Sequence, residues 1–482
     1  MADTNGGPSQ KDVLGKSRIF TPEVINDIHI KSELGRYRMR GFSIFKPIPH
    51  WDELVFLPGT LTRFVIEGYR EKCDTTTVLG ARFAKNPISL DIPIYITGMS
   101  FGALSLEAKM ALAKGASMAG TATCSGEGGM IPPERDYSTK WYYQCIQSRY
   151  GFNPHHLMLA DACEFFIGQG CKVGLGGHLM GQKVTEQVAE MRSLPAGIDQ
   201  RSPARHPDWL GPDDLSLKVQ EIREATDYRI PIQLKLGASR VYDDVRMAAK
   251  CGPDIIYLDG AEGGTGAGPH VATEETGIPL MAAIPEARRA LEDVGLADEI
   301  DLVVAGGIRN GADVAKALAL GAKAVAIGHS ALMALNCNKE IPGVTDYEGT
   351  VGVPAGQCYH CHTGRCPVGV ATQDPELRKR LVVEEASERV YNFLTAMTME
   401  LQMLARACGK TNVHSLEPED LAALTVEASA MARVPLAGTT YTVGQTEREI
   451  LAEVQRLLAI KAEEELVQNP TAQIHDLRTI ES

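Results

Sequence analysis

The middle of the chain alternates short apolar runs with stretches in which apolar residues recur at helical spacing. Each run is rich in Ile, Val and Leu and is followed by a glycine-rich or polar turn. Such alternation is typical of βαβ units, whose strands are parallel. The pattern predicts eight strands, at residues 93–97, 121–125, 163–167, 231–236, 254–258, 277–281, 301–304 and 324–327.

Eight strands with intervening helices favour an α/β fold, a (β/α)8 TIM barrel. An open doubly wound sheet is the alternative that the same pattern allows. We expect the barrel to occupy residues 81–335, after an N-terminal segment, 1–80, that wraps it. A helical C-terminal region should cover 376–482, with helices predicted at 375–407, 416–433 and 447–465.

Charge and composition narrow the range of partners. The formal net charge is −13 over 482 residues, which argues against nucleic acid and anionic membranes as main partners. No apolar run approaches the ~20 residues of a membrane helix, and the first residues do not read as a secretory signal. Eleven cysteines in such a chain fit a reducing cytoplasm, with free thiols and a metal site.

Four cysteines fall within the segment 336–375. Cys358, Cys361 and Cys366 have the spacing C-x2-C-x4-C, and Cys337 lies 21 residues before the first of them. Closely spaced thiolates are the soft ligands that the irons of an iron–sulfur cluster prefer. The segment is therefore predicted to be an iron–sulfur loop. A zinc site, a redox Cys-x-x-Cys pair and an ordinary loop are the alternatives.

Glycines follow the last two predicted strands. Gly306 and Gly307 come after the seventh strand, and Gly328 comes after the eighth. Glycine lets the backbone approach an anion closely, and helix N-termini hold phosphate through free N–H groups. Loops seven and eight are the usual phosphate site of a TIM barrel. The sequence thus predicts a phosphate-bearing ligand, although tight turns alone would also favour glycine.

Several motifs resemble the glutamate synthase family. Residues 306–322 are similar to the phosphate loop and helix of FMN-binding barrels in general. Five further segments, in the same order along the chain, resemble the FMN domain of glutamate synthases: 98–105, 125–129, 168–172, 259–267 and 361–373. The resemblance covers roughly residues 80–380 and implies an FMN-dependent enzyme.

The resemblance also implies where FMN binds. It places the Lys235 ammonium against the N1–C2=O edge of the flavin, where it would stabilise negative charge on the reduced ring. A structural salt bridge is the alternative for this lysine. The other positions expected to hold FMN are Met99, Ser100, Gln144, Gly263, Gly264, Thr265, Gly306, Gly307, Arg309, Gly328 and His329.

For the reaction itself, the resemblance assigns proton transfer to Glu127, which lies between glycines in the chain. A carboxylate that caps a helix is the alternative. The expected substrate is a dicarboxylate, 2-oxoglutarate or glutamate, and a bidentate Arg192 could clamp one carboxylate. The residues expected to hold this substrate are Gln169, Lys172, Arg192 and Ser202, with a solvated surface charge as the alternative for the cations.

The resemblance further assigns the cysteines. Cys337 is similar to the first ligand of the family's [3Fe-4S] cluster, and Cys361 and Cys366 are similar to the other two. The interval 338–360 is longer than in the family and carries Cys358. We therefore expect four ligands and a [4Fe-4S] cluster, with the three-ligand [3Fe-4S] arrangement as the alternative.

Two departures from the family bear on function. Leu175 and His178 stand where the family has a glutamate and a glutamine, which argues against ordinary glutamate synthesis. Neither a glutaminase domain nor a glycine-repeat β-helix is recognisable in the sequence. We expect a subunit of a hetero-oligomer, with a glutaminase-like amidotransferase subunit and a glycine-repeat β-helix subunit, as in methylamine-using relatives. The resemblance implies that the product is N-methylglutamate, made from 2-oxoglutarate or glutamate and methylamine. A glutamate synthase that uses ammonia and a redox or scaffold subunit are the alternatives.

Overall fold

The computed structural model describes residues 17–68, 70–339, 352, 356, 358–444, 454–456 and 458. Its centre is one sheet of eight strands in which every neighbouring pair is parallel. In chain order the strands are β1 (Ile94–Ile96), β2 (Thr123–Cys124), β3 (Trp141–Cys145), β4 (Ala162–Phe166), β5 (Ile232–Gly237), β6 (Ile255–Asp259), β7 (Asp301–Ala305) and β8 (Ala324–Ile327).

The sheet closes on itself. Its order is β1-β8-β7-β6-β5-β4-β3-β2, so β1 and β2 are the two ends. The backbone N–H of Ile96 in β1 donates to the carbonyl of Ala122, just before β2, at 2.9 Å. This bond joins the ends into a barrel, which confirms the (β/α)8 prediction and excludes the open sheet.

The strands are buried on both faces. Inside the barrel, Tyr95, Tyr142 and Tyr257 pack with small residues such as Ala162 and Ala326. Outside it, the helices cover the opposite strand faces with a second and larger apolar core. Strands covered on both sides become continuous apolar runs, which is why the sequence pattern located seven of them to within two residues.

The remaining strand prediction is wrong. Residues 277–281 form a turn and the start of the helix Leu280–Asp293, with Gly277 at φ 86° and Pro279 as the N-cap. The true third strand is β3, Trp141–Cys145, whose apolar character comes from aromatic side chains and not from Ile, Val and Leu. Aromatic residues favour strands as strongly as β-branched ones do.

The barrel is surrounded by helices and completed by short elements. The helices of the barrel region are Leu106–Met118, Pro132–Tyr137, Pro154–Met158, Glu186–Arg192, Pro212–Ala225, Val241–Lys250, His270–Glu275, Leu280–Asp293, Gly311–Ala319 and His329–Ala334. Short 3-10 turns occur at Trp51–Glu53, Gly170–Lys172, Gly181–Lys183, Cys361–Thr363, Val413–Ser415 and Pro418–Asp420.

The N-terminal segment packs on the barrel and on the C-terminal region. After the helix Pro22–Leu34, the strand Met39–Phe42 pairs with Thr265–Pro269, which follows β6. Further along, Leu54–Phe56 pairs with Leu421–Ala423. The other two-stranded pairs are Thr77–Leu79 with Ile88–Leu90 and His178–Leu179 with Gln200–Arg201.

The C-terminal region is less helical than predicted. The stretch 375–407 divides into helices Pro375–Arg378 and Val383–Ala407. The helix predicted at 416–433 is wrong over its first half, where Leu421–Ala423 pairs as a strand before the helix Val426–Ala432. The helix predicted at 447–465 lies almost wholly outside the described residues.

The long helix Val383–Ala407 packs closely on the barrel helix Leu106–Met118. A Cβ added to Gly115 would lie 2.7 Å from the carbonyl oxygen of Ser387 and 2.7 Å from Cβ of Val390. These contacts are shorter than ordinary van der Waals separations, so the two helices would have to move apart.

We therefore expect Gly115→Ala to lower the free energy of unfolding by about 1–3 kcal/mol through overpacking, despite the better helix propensity of alanine. Chemical denaturation would measure the change. Gly211→Ala is the matched control, because no atom lies within 4 Å of a Cβ at Gly211. Equal stability of the two variants would contradict the close packing of these helices.

Candidate functional site

A cavity of about 920 Å³ opens at the carboxyl ends of the barrel strands. All eight strands or the loops after them contribute to its lining, as expected for the active face of a TIM barrel. Among the residues predicted for function, those that line it are Met99, Ser100, Glu127, Gln144, Gln169, Lys172, Lys235, Gly263, Gly264, Thr265, Gly306, Gly307, Arg309, Gly328, His329 and Cys361.

Lys235 enters the cavity from β5. Its Nζ is 3.2 Å from Oγ1 of Thr97 and lies 4.3 Å from the centroid of the Tyr257 ring. Burial by itself lowers the pKa of this ammonium, but Tyr257, Glu164 and Asp259 raise it more strongly, so that the net shift is upward. Lys235 therefore stays positively charged inside the barrel.

Glu164 is the carboxylate beneath the cavity that the sequence analysis missed. It lies in β4 and is completely buried. Its Oε1 accepts a hydrogen bond from Nε2 of Gln144 at 2.6 Å, and its Oε2 accepts one from Nε2 of Gln233 at 2.6 Å. A charged residue within the apolar run 162–166 was the available signal, since buried charges need a partner.

The predicted phosphate loop after β7 has the conformation that glycine permits. Gly306 has φ 113° and Gly307 has φ 69°, both in the region that other residues rarely adopt. Asn310 then caps the helix Gly311–Ala319, with its Oδ1 accepting from the N–H of Asp313 at 2.9 Å. The loop thus presents backbone to the cavity at the end of β7.

The side chain of Arg309 is already paired with carboxylates. Its Nη1 is 3.0 Å from Oδ2 of Asp52, and its Nε is 2.9 Å from Oδ2 of Asp313. Hydrogen bonds to these two carboxylates raise the pKa of Arg309. The guanidinium therefore ties the N-terminal segment to the phosphate loop, and its charge is balanced within the protein.

His329 follows β8 and packs between two other parts of the cavity wall. Its ring centroid is 4.7 Å from that of Phe42, and a Cβ on Gly264 would lie 1.6 Å from its Cε1. Burial lowers the pKa of His329 to about 4, so its imidazole is neutral at neutral pH. Only glycine fits at position 264 beside this ring.

Glu127 extends from the loop after β2 and is held by hydroxyl groups. Its Oε1 accepts hydrogen bonds from Tyr150 at 2.8 Å and from Ser202. Tyr150 in turn accepts a hydrogen bond from Nη1 of Arg192 at 3.3 Å. In the described part of the chain, the carboxylate of Glu127 accepts its hydrogen bonds from these two hydroxyls and does not cap a helix.

Arg192 and Ser202 do not line the cavity. Arg192 is completely buried, and its Nη2 donates to the carbonyls of Phe101 and Glu127 at 3.1 and 3.3 Å. It therefore lies behind the wall that carries Glu127. Both residues were predicted to hold the substrate. Tyr150, which was not predicted, links Arg192 to Glu127, whereas Ser202 contacts Glu127 directly.

Lys172 is a buried cation that faces the cavity. It is 4% exposed, and its Nζ donates to the carbonyl of Ala267 at 3.3 Å. Within the described ranges no carboxylate lies within 4.0 Å of this ammonium. Next to it, Gln169 donates from Nε2 to the carbonyl of Gly264 at 3.1 Å. A buried cation without a counterion favours an anionic ligand.

The four cysteines of the predicted iron–sulfur loop come together at the edge of the cavity. Burial raises the pKa of Cys337, and the neighbouring thiols of Cys361, Cys366 and Cys358 raise it further. Cys361 also lines the cavity, and Asn338 accepts from the N–H of Cys358 at 2.9 Å. Thiols are the type of donor that an iron–sulfur cluster takes.

No group of three or more His, Cys, Asp or Glu side chains in the described ranges has the geometry of a metal site. The cluster therefore remains a prediction. The remaining seven cysteines are buried, as expected for small apolar side chains: Cys73, Cys124, Cys145, Cys163, Cys171, Cys251 and Cys408.

The sequence matches a known family. A family model described as a conserved region in glutamate synthase matches residues 71–411. The chain belongs to the glutamate synthase family. A glutamate synthase large subunit-like protein of Rhizobium meliloti is 52% identical over 430 residues, which cover 89% of this chain and 97% of that protein.

More distant members of the glutamate synthase family also match. An NADPH archaeal-type glutamate synthase of Dehalococcoides mccartyi is 34% identical, covering 82% of this chain and 79% of its own length. Among solved structures, a mandelate oxidase variant with an FMN adduct has a TM-score of 0.45 at 16% identity, over 76% of this chain and 87% of that one. The barrel assignment rests on strand pairing and not on this likeness.

In this glutamate synthase family chain, one of the two departures faces the cavity. His178 lines it, and its Nε2 is 2.9 Å from Oδ2 of Asp199. Leu175 is 37% exposed and does not line the cavity. In the part of the chain that the structure describes, no helix is long and apolar enough to cross a membrane.

The charge of Lys235 should depend on Glu164, and a double-mutant cycle would measure this. Glu164→Gln leaves Lys235 buried with less negative charge nearby, so we expect destabilisation that Lys235→Met partly reverses. The coupling free energy should be about 0.5–3 kcal/mol.

The exposed pair Glu376 and Lys379, whose side chains are 78% and 69% exposed, is the control. The same cycle on that pair should give less than about 0.5 kcal/mol. Additive effects at Glu164 and Lys235 would contradict the electrostatic account of the cavity.

Proposed function

We propose that this chain is the FMN- and iron–sulfur-containing catalytic subunit of a glutamate synthase-like complex, and that its product is N-methyl-L-glutamate, made with methylamine. The observation that carries the proposal is the cavity itself. Glycines after β7 and β8, the charged Lys235, the carboxylate of Glu127 and the uncompensated Lys172 all face one space of about 920 Å³.

The cavity has what FMN would need. Gly306, Gly307 and Gly328 offer backbone to a phosphate at the ends of β7 and β8. In the same cavity, Lys235 supplies a positive charge that is buried away from water. When bound, FMN would supply hydride transfer to an imine.

Other side chains around the cavity would bind the substrate and move a proton. Lys172 and Gln169 would bind a carboxylate of 2-oxoglutarate or glutamate through a charge-assisted contact. Glu127, fixed by Tyr150 and Ser202, would hold or accept a proton at Oε1. Arg192 would act on Glu127 through Tyr150 instead of clamping the substrate directly.

The proposed partners follow from the family. We propose a cytoplasmic hetero-oligomer with a glutaminase-like amidotransferase subunit and a glycine-repeat β-helix subunit. Support comes from the Rhizobium relative, named as large subunit-like, which this chain covers almost completely. The archaeal-type relatives are named as glutamate synthases, so ammonia is the competing amine.

The choice of amine is directly testable. We expect the complex assembled from this chain and its partner subunits to form N-methylglutamate from 2-oxoglutarate, methylamine and a reductant. Mass spectrometry of the product, with ammonium in a parallel reaction, would measure the preference. Formation of glutamate alone would contradict methylamine use and leave the ammonia-dependent reaction, and no product from either amine would favour a redox or scaffold subunit.

The role of Lys172 gives a second test. Lys172→Met removes a charged contact worth about 1.5–3 kcal/mol, and we expect about a 10- to 150-fold loss in 2-oxoglutarate affinity. Calorimetric titration would measure it, and FMN content should not change. The exposed Lys379→Met is the control. Wild-type affinity in Lys172→Met would place the dicarboxylate elsewhere.

The number of cluster ligands gives a third test. If Cys358 is a ligand, Cys358→Ala should convert a [4Fe-4S] signal to a [3Fe-4S] signal, with most of the iron retained. Cys361→Ala should lose the cluster. Electron paramagnetic resonance and iron analysis would follow both variants. A spectrum unchanged in Cys358→Ala would restrict the ligands to Cys337, Cys361 and Cys366.

A further inference from the structure

A lysine outside the predicted site residues joins the cavity wall to the cysteine loop. Lys183 ends the 3-10 turn Gly181–Lys183 and is only 1% exposed. Its Nζ donates to the carbonyl of Ala103 at 2.7 Å and to the carbonyl of Cys361 at 2.9 Å. One ammonium thus links the loop after β1 to the loop that carries the predicted cluster ligands.

This ammonium lacks a counterion in the protein as far as the structure describes it. Among the described residues, no Asp or Glu oxygen lies within 4.0 Å of Nζ of Lys183. The two groups that accept its hydrogen bonds, the carbonyls of Ala103 and Cys361, are neutral. Lysine is almost never fully buried without a paired charge, because removing a lone ammonium from water is costly. A negative charge is therefore expected beside it.

The cysteine loop is where that charge would lie. The hydrogen bond to the carbonyl of Cys361 places the Lys183 ammonium next to one of the predicted cluster ligands. A cluster held by thiolates is anionic, and it becomes more negative on reduction. A nearby cation stabilises the reduced form more than the oxidised form, which raises the reduction potential.

Two neighbouring contacts hold the turn Gly181–Lys183 against the cysteine loop. Nε2 of Gln182 donates to the carbonyl of His362 at 3.2 Å. A Cβ on Gly364 would lie 3.2 Å from Cγ of Lys183, so the loop folds tightly over the lysine stem. Gln182 therefore anchors the same loop as Lys183 does, but without a charge.

We propose that Lys183 is a positioning residue for the iron–sulfur loop whose buried positive charge compensates the anionic cluster and raises its reduction potential. This inference rests on the proposed cluster. It assigns to Lys183 a role toward the loop that is distinct from the role of Lys235 toward the flavin. The charge sets the potential, while the two donated hydrogen bonds fix where the loop meets the cavity.

The test is a redox titration with dithionite, monitored by electron paramagnetic resonance, on the full chain with iron and flavin contents measured in parallel. We expect Lys183→Met to shift the cluster midpoint to a more negative potential. Lys183→Arg, which keeps the charge, should stay close to wild type. Gln182→Leu, which removes only a neutral anchor, should also leave the midpoint unchanged.

Each other outcome is informative. If Lys183→Met keeps its flavin and unfolding midpoint but loses iron, while Lys183→Arg and Gln182→Leu retain iron, the need for a cation at the loop is supported. A midpoint unchanged in an iron-replete Lys183→Met, or equal shifts in all three variants, would overturn the inference alone. Wild-type protein without iron would overturn both the inference and the proposed cluster.

Discussion

The structure depends on keeping a charged lysine inside a barrel. The Lys235 ammonium lies in a buried site, where an isolated charge would be unstable. The carboxylates of Glu164 and Asp259 hold it in the charged form. Glu164 is itself fixed by two amide donors, Gln144 and Gln233. The interior of the barrel is therefore a polar network beneath the cavity, surrounded by aromatic and small apolar side chains, and it supplies the fixed charge that a reduced flavin would need.

Elements outside the barrel complete the cavity. The pair formed by Met39–Phe42 and Thr265–Pro269 brings Phe42 against His329. Asp52 reaches the phosphate loop through Arg309. The cysteine loop contacts the same N-terminal strand, since the N–H of Gly41 donates to the carbonyl of Tyr359 at 2.8 Å. Within this loop, Cys361 lines the cavity and its carbonyl accepts a hydrogen bond from Lys183. The two predicted redox sites are thus neighbours because three separate segments meet at one edge of the barrel.

The barrel fold could be predicted from the sequence because strands that are buried on both faces form continuous apolar runs. The strand Trp141–Cys145 was not predicted because its apolar residues are largely aromatic. A strand was wrongly predicted at 277–281 because the apolar residues there begin a helix. Glu127 was marked by the glycines on both sides of it, and Lys235 by its position at the end of a predicted strand together with the family resemblance. Tyr150 could not be predicted, since its partners are brought to it only by folding, whereas the charge of Glu164 within an apolar run was a signal that its neighbours in the sequence did not explain. The same limit applies to Arg192 and Ser202, which were predicted to hold the substrate but are not among the cavity-lining residues and contact Tyr150 and Glu127.

The most direct test of the central claim is the cofactor content of the purified chain. The cavity and the cysteine loop together predict one FMN, released as FMN and not as FAD on denaturation, and about three or four irons per chain. Chromatography of the released flavin and iron analysis would measure both. A chain that retains FAD, no flavin, or zinc without iron would contradict the account.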